Sequence, residues 1–169
     1  QMVQQNADRL ARIAEEVLDI ARVQHQIGQT PSSTLALNAT VAQTWHDWQA
    51  HDPAGRQGQL LLGAGEVQVE FDPEHLRRVL VNLLDNAQRY KGPYADSLQL
   101  STRATASGQI GIQVWSDGAP LDQSVERHLF EPFFSSESRS SGLGLYICRQ
   151  LCQRHGAAIS YQRSTRMLD

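Results

Sequence analysis

The chain predicts an α+β domain with a mixed, mainly antiparallel sheet covered by helices, preceded by one long helix. Three features carry that expectation. Apolar residues recur at three- and four-residue steps over 1–24, 38–50, 73–90 and 142–155, the period of a buried helix stripe. Short apolar or alternating runs at 59–62, 67–71, 97–106 and 109–116 are bounded by Gly, Pro, Asp and Ser, as strands are. Helices and strands arrive in blocks rather than in strict β-α alternation, which favours α+β over a doubly wound sheet.

With 169 residues the chain is long enough for one domain and an appended helix. Its 40% hydrophobic and 20% charged residues are ordinary for a globular protein, which argues against disorder. No run reaches the length of a membrane span, so no membrane contact is expected of these residues. The net charge is −3, the pI is near 6.1, and the 15 basic residues are scattered; nucleic acid is not an expected partner. Cys148 and Cys152 make neither a disulfide framework nor a metal quartet. Beside Ile147 and Leu151 they read as the buried side of a helix, compatible with a reducing cytoplasm.

In residues 1–24, Leu10, Ile13, Val17 and Ile20 repeat every seven residues, the pattern of a helix that packs against other helices. The Gly, Pro, Ser and Thr of 25–34 mark a linker. The domain proper is expected over 35–169. It opens with a short strand at Leu35-Ala36-Leu37, and Asn38 is a candidate cap for a helix to Ala50 whose inner side carries Val41, Trp45 and Trp48. Residues 59–62 and 67–71, around "GAGE", suggest a hairpin. So do 97–106 and 109–116, around Ser107-Gly108. A helix from about Gly142 to His155 and a strand at 157–162 follow a loop that starts at Asp117.

The stretch Asn82-Leu83-Leu84-Asp85-Asn86-Ala87-Gln88-Arg89-Tyr90 departs from a generic domain. Asp72 and Pro73 supply an N-cap and a first-turn proline for its helix, and Leu76, Val79, Leu80, Leu83, Leu84 and Ala87 form its apolar stripe. Asn82, Asn86 and Arg89 fall on another face, so two amide oxygens and a guanidinium point the same way. A hard cation such as Mg²⁺ takes oxygen ligands and completes its shell with water and phosphate. An asparagine supplies such an oxygen without adding negative charge. The bland alternative is an exposed polar helix surface.

"NLLDNAQRY" resembles the N box of bacterial sensor histidine kinases, in the group of ATPases that includes gyrase, MutL and a heat-shock chaperone. Three later segments agree in order: "VWSDGAPL" resembles the D-x-G-x-G box, "LFEPFF" the F box, and "SSGLGLYI" the G2 box. "RLARIAEEVLDIAR" resembles the second helix of the kinases' dimerisation hairpin, and the likeness is greatest to nitrogen-regulation and pilin-regulation sensors. The resemblance implies a two-layer α/β sandwich of Bergerat type, helices on one face, cut short at its C-terminus. It implies ATP and Mg²⁺ as cofactors, with Asn86 as metal ligand and Asn82 supporting it. Arg89 neutralises the transferring phosphoryl group. Tyr90 packs on the nucleotide and Lys91 reaches phosphate. Nucleotide contacts fall to Ser116, Asp117, Gly118, Phe133, Gly142, Leu143, Gly144 and Leu145. Gly142 and Gly144 lie where a loop enters a helix, where backbone N–H groups and the helix dipole favour an anion.

The chain departs from the pattern in three places. Ser116 stands where the family has the Asp that accepts from the adenine amino group, Pro120 replaces the second Gly, and Ser140 replaces an earlier Gly of the G2 box. A hydroxyl is a weaker acceptor than a carboxylate, and bridging water or Asp117 are the alternatives. The implied partners are a response-regulator receiver domain and the first dimerisation helix of a homodimeric parent kinase, with this piece in the cytoplasm of a sensor of inner-membrane type. The first residue is Gln, so a longer protein is expected. None of the six histidines sits in an acceptor motif; His46-Asp47 and His51-Asp52-Pro53 come nearest. Two rival readings are a clamp ATPase, which places a Glu where this chain has Asn82, and a non-catalytic interaction module, which Ser116 and Ser140 would suit.

Overall fold

The computed structural model describes residues 32–134 and 142–164, and within 7–22 the residues 7, 8, 10, 11, 13–15, 17, 18, 21 and 22. The elements are β1 (Ser33–Ala36), α1 (Leu37–Ala50), β2 (Gln59–Gly63), β3 (Gln68–Phe71), α2 (Pro73–Tyr90), β4 (Leu98–Ala104), β5 (Ile110–Ser116), α3 (Gln123–His128) and α4 (Gly144–Arg154). The chain divides into two compact units, residues 28–119 and residues 1–27 with 120–169.

In the first unit, β1 and β3 pair antiparallel, and a second sheet has the order β2-β4-β5. Within it β2 runs parallel to β4, while β4 and β5 form the expected antiparallel hairpin with Leu98 opposite Ser116 and Ala104 opposite Ile110. The expected hairpin of β2 with β3 does not form: β3 pairs with β1, Leu35 opposite Val69. A parallel pair needs a long crossover, and β3 with α2 supplies it between β2 and β4. The block-wise pattern of the sequence hid this one β-α-β unit.

Asn38 does not cap α1. The N-cap is Ala36, without a side-chain bond, and the strand ends there rather than at Leu37. Asn38 Nδ2 instead donates to the Gly65 carbonyl (2.8 Å), and its Oδ1 accepts from the Thr102 hydroxyl (2.6 Å). The buried Thr102 hydroxyl in turn accepts from the Gly63 N–H at 3.1 Å. These bonds fasten the turn after β2 to β4 and to α1.

Asp72 and Pro73 start α2 as expected, with Asp72 Oδ1 accepting from the His75 N–H at 2.9 Å. Leu76, Leu80, Leu84 and Ala87 of α2 share one core with Val41, Trp45 and Trp48 of α1 and Leu98 and Leu100 of β4. Leu83 is only half-buried. This burial drives the unit together and seats α2.

In the second unit, the described residues of 7–22 are helical; Leu10 and Val17 of the predicted seam are exposed and Ile13 is half-buried, while Ile20 lies outside the described residues. The linker of 25–34 is described only from Ser32 on. Helix α4 buries Ile147, Cys148, Leu151 and Cys152, and burial pushes the Cys152 thiol up to about 11. It ends in a Schellman motif: Gly156 has φ +73°, and Ala157 N–H donates to the Cys152 carbonyl at 2.9 Å. Residues 157–162 are not a strand. Their link is by side chain, the Tyr161 hydroxyl accepting from the Leu121 N–H at 3.3 Å, in place of a ladder of backbone bonds. Among the described residues, no helix is long and apolar enough to cross a membrane.

Candidate functional site

Helix α2 carries the first group of candidates. Its apolar stripe faces the core, which leaves Asn82 and Asn86 half-buried and Arg89 exposed on the remaining surface. The helix stops at Lys91, which turns to extended backbone (φ −67°, ψ 154°) while its N–H still donates to the Ala87 carbonyl. Tyr90 is 41% exposed.

The strand-end turn meets α2 here. Asp117 Oδ1 accepts from the Gly92 N–H (2.7 Å), and Oδ2 accepts from the Ser97 hydroxyl (2.7 Å). The Asp117 N–H donates to the Ser97 carbonyl at 3.1 Å. The Gly92 N–H first, then the Ser97 hydroxyl, the backbone N–H and the nearby Lys91 charge hold the Asp117 carboxyl below its ordinary 3.8, against some opposing desolvation. Gly118 is required: a Cβ there would lie 2.7 Å from the Tyr90 carbonyl oxygen. Asp117 thus fastens the turn to the end of α2, so the alternative in which it takes over the acceptor role of Ser116 must draw on oxygens already accepting two bonds. Ser116 ends β5 and is half-buried.

The second group lies in the other unit. Phe133 adopts φ 62° with its side chain 62% exposed, and its N–H donates to the Gly142 carbonyl at 3.1 Å. Gly142 has φ +74°, and a Cβ on it would lie 2.5 Å from the Phe134 carbonyl oxygen. The two spaced glycines therefore differ. The side-chain position of Gly142 is filled by the Phe133-Phe134 backbone, whereas that of Gly144 opens on free space. Helix α4 starts at Gly144, two residues later than expected, with Leu143 fully buried and no side-chain cap. Leu145 is half-buried. Ser140 lies outside the described residues.

Sequence reasoning missed a set of residues around α2. Trp48 Nε1 donates to Asp85 Oδ1 at 2.8 Å, and Arg56 lies over the Trp48 ring at 4.7 Å and within 3.9 Å of the same carboxylate oxygen. Gln88 Nε2 donates to the Gly55 carbonyl at 2.7 Å. No local spacing joins residues 48, 56 and 85; Trp48 reads from periodicity as core alone. Ser97 gave no signal.

The sequence profile of the family described as "Histidine kinase-, DNA gyrase B-, and HSP90-like ATPase" matches residues 71–167. The sensor protein kinase PilS of Pseudomonas aeruginosa is 32% identical over 165 residues, 96% of this chain and 30% of PilS. The chain spans about a third of the length of PilS and of the sensor histidine kinase ZraS of Salmonella typhimurium, 27% identical over 161 residues. Among solved structures, full-length ShkA in complex with AMPPNP superposes with a TM-score of 0.71 at 18% identity, covering 92% of this chain and 33% of ShkA. Histidine kinase ThkA in complex with the response regulator TrrA gives 0.67 at 19% identity, covering 92% of this chain and 43% of that one. The fold is thus that of histidine kinase catalytic domains, as the four boxes imply. The chain belongs to the histidine kinase-, DNA gyrase B- and HSP90-like ATPase family, with sensor histidine kinases as its relatives.

Proposed function

We propose that residues 35–169 are the ATP-binding catalytic domain of a sensor histidine kinase, with residues 1–24 the second dimerisation helix and 25–34 the linker between them. The observation that supports this reading is the joint between the Asp117-Gly118 turn and the C-terminal end of α2, the helix that bears Asn82, Asn86 and Arg89. The donor set fits Mg²⁺ bound with a nucleotide. Among the described residues no group of three His, Cys, Asp or Glu side chains would hold a metal alone. Two neutral amide oxygens suit a cation whose remaining ligands are phosphate and water.

Mg²⁺, when bound, would supply charge that offsets the phosphates. Asn86 supplies the amide oxygen and Asn82 supports it. Arg89 faces the transferring phosphoryl group, Lys91 reaches phosphate and Tyr90 packs on the nucleotide. Ser116 and Gly118 line the base end. Leu143, Gly144 and Leu145, at the start of α4, contact the nucleotide, where the positive end of the helix dipole favours phosphate. Phe133 and Gly142 contribute further nucleotide contacts. Transfer breaks the bond between the γ-phosphorus and the β,γ-bridging oxygen and forms a bond to an acceptor histidine nitrogen, with ADP leaving. The phosphoryl group then passes to a response-regulator aspartate, the class of partner ThkA carries in its complex. The parent is a homodimeric sensor.

Asn82 replaces the Glu that a clamp ATPase uses to activate water, and an amide is no base, so hydrolysis is slow. None of the six histidines lies in an acceptor motif. Incubation with γ-labelled ATP therefore leaves this chain unlabelled and labels a separate polypeptide carrying the parent's first dimerisation helix. Label on this chain, or rapid phosphate release, would overturn the reading.

A further inference from the structure

We infer that Trp48, Arg56 and Asp85 form a clamp that fixes the roll of α2 and thereby positions the Asn86 amide oxygen on Mg²⁺; the inference rests on the function proposed above. Asp85 precedes Asn86 directly and Gln88 follows two residues later, so both anchors lie in the turns that carry Asn82, Asn86 and Arg89. The opposite side of α2 is held by Leu76, Leu80, Leu84 and Ala87. Apolar burial is non-directional: it sets which face of the helix turns inward, but only to within the width of the stripe. Directional, charge-assisted bonds set the turn.

One charge-assisted hydrogen bond, one ion pair at 3.9 Å and one neutral hydrogen bond meet at this place. Trp48 Nε1 reaches Asp85 from α1, and Arg56 reaches the same carboxylate from the loop after α1 while donating to the Trp48 carbonyl at 2.7 Å. Gln88 holds the loop at Gly55, and Gln49 Nε2 donates to the Arg56 carbonyl at 2.9 Å. The loop is thus bound to both helices.

Positioning tolerance explains the need. Side-chain ends lie roughly 5 Å from a helix axis, so a roll of about 20° moves an amide oxygen by roughly 2 Å. A Mg²⁺–oxygen bond is itself only about 2.1 Å long. A roll of that size at α2 would therefore take the ligand away from the metal.

Calorimetric titration with ATP in excess Mg²⁺ and with ATP in EDTA tests the clamp, the ratio of the two affinities being the readout. Asp85→Ala and Trp48→Phe are expected to lower that ratio about tenfold, the scale of residues that orient a metal ligand, with affinity in EDTA unchanged. Asp85→Asn keeps an acceptor for the indole N–H and restores most of the ratio. A general structural role would instead weaken binding equally with and without metal, which overturns the proposal, as does an unchanged ratio in folded Asp85→Ala. Should Trp48→Phe not fold, the half-exposed Asp85 decides. A Mg²⁺ enhancement in the parent that Asn86→Ala removes but Asp85→Ala does not would overturn the clamp and leave the proposed function standing. No Mg²⁺ enhancement in the parent overturns both.

Discussion

The joint at the end of α2 and the Phe133–Gly142 pair are built on opposite principles. At the joint the backbone is ordinary and polar atoms bond in a closed set: both Asp117 oxygens are taken, by Gly92 and Ser97, and the backbone N–H of Asp117 is taken by Ser97. At the pair, two residues of positive φ, one a phenylalanine, meet across a 3.1 Å backbone bond. The left-handed region costs an L-residue about 1–2 kcal/mol. Strain of that kind persists at clamps and switch points where neighbouring structure enforces it. Directional polar bonds therefore hold the C-terminal end of α2 fixed, while the backbone strain of the pair lies at Phe133.

Four measurements break or sharpen that contrast, from the largest effect down. Asn86→Ala is expected to abolish Mg²⁺-dependent nucleotide binding with the thermal melt unchanged, because the residue lies off the apolar stripe; calorimetry showing parental binding would remove it from the site. Gly142→Ala should destabilise the fold by about 2 kcal/mol or more, since it adds a positive-φ penalty to a 2.5 Å contact. Gly144→Ala should leave stability within about 1 kcal/mol, because nothing occupies that space. Denaturant titration of the two variants checks the difference, and equal losses would show that the glycines share one role.

Ser116→Asp is expected to tighten ATP binding by up to about tenfold, the scale of one charge-assisted hydrogen bond over a neutral one. Weaker binding in the folded variant would show that the β5 end does not read the base. The smallest effect concerns Asp117. Its folded carboxyl lies below its ordinary 3.8, so its contribution is complete above about pH 5 and is lost as the pH falls through the folded value. Asp117→Asn should therefore lower the melting temperature near neutrality and converge with the parent in acid. Curves that stay parallel down to about pH 3 would show that the charge does not hold the joint.

Much of this was legible in the sequence. The stripe of α2 with its Asp72-Pro73 start, the β4–β5 hairpin and the buried Cys148-Cys152 side of α4 all rest on local period and turn chemistry, which act within a few residues. The order of the four boxes identified the family. Tertiary structure alone decided the parallel pairing of β2 with β4 and the bond between Asn38 and Thr102, 64 residues apart, which follow from no local pattern. It alone separated Gly142 from Gly144, since a missing Cβ matters only where another part of the chain fills its place. It also decided that Asp117 fastens a joint and that Trp48 serves Asp85 as well as the core. Sequence period fixes which face of an element is apolar; which polar groups meet across elements depends on distances that only the folded chain sets.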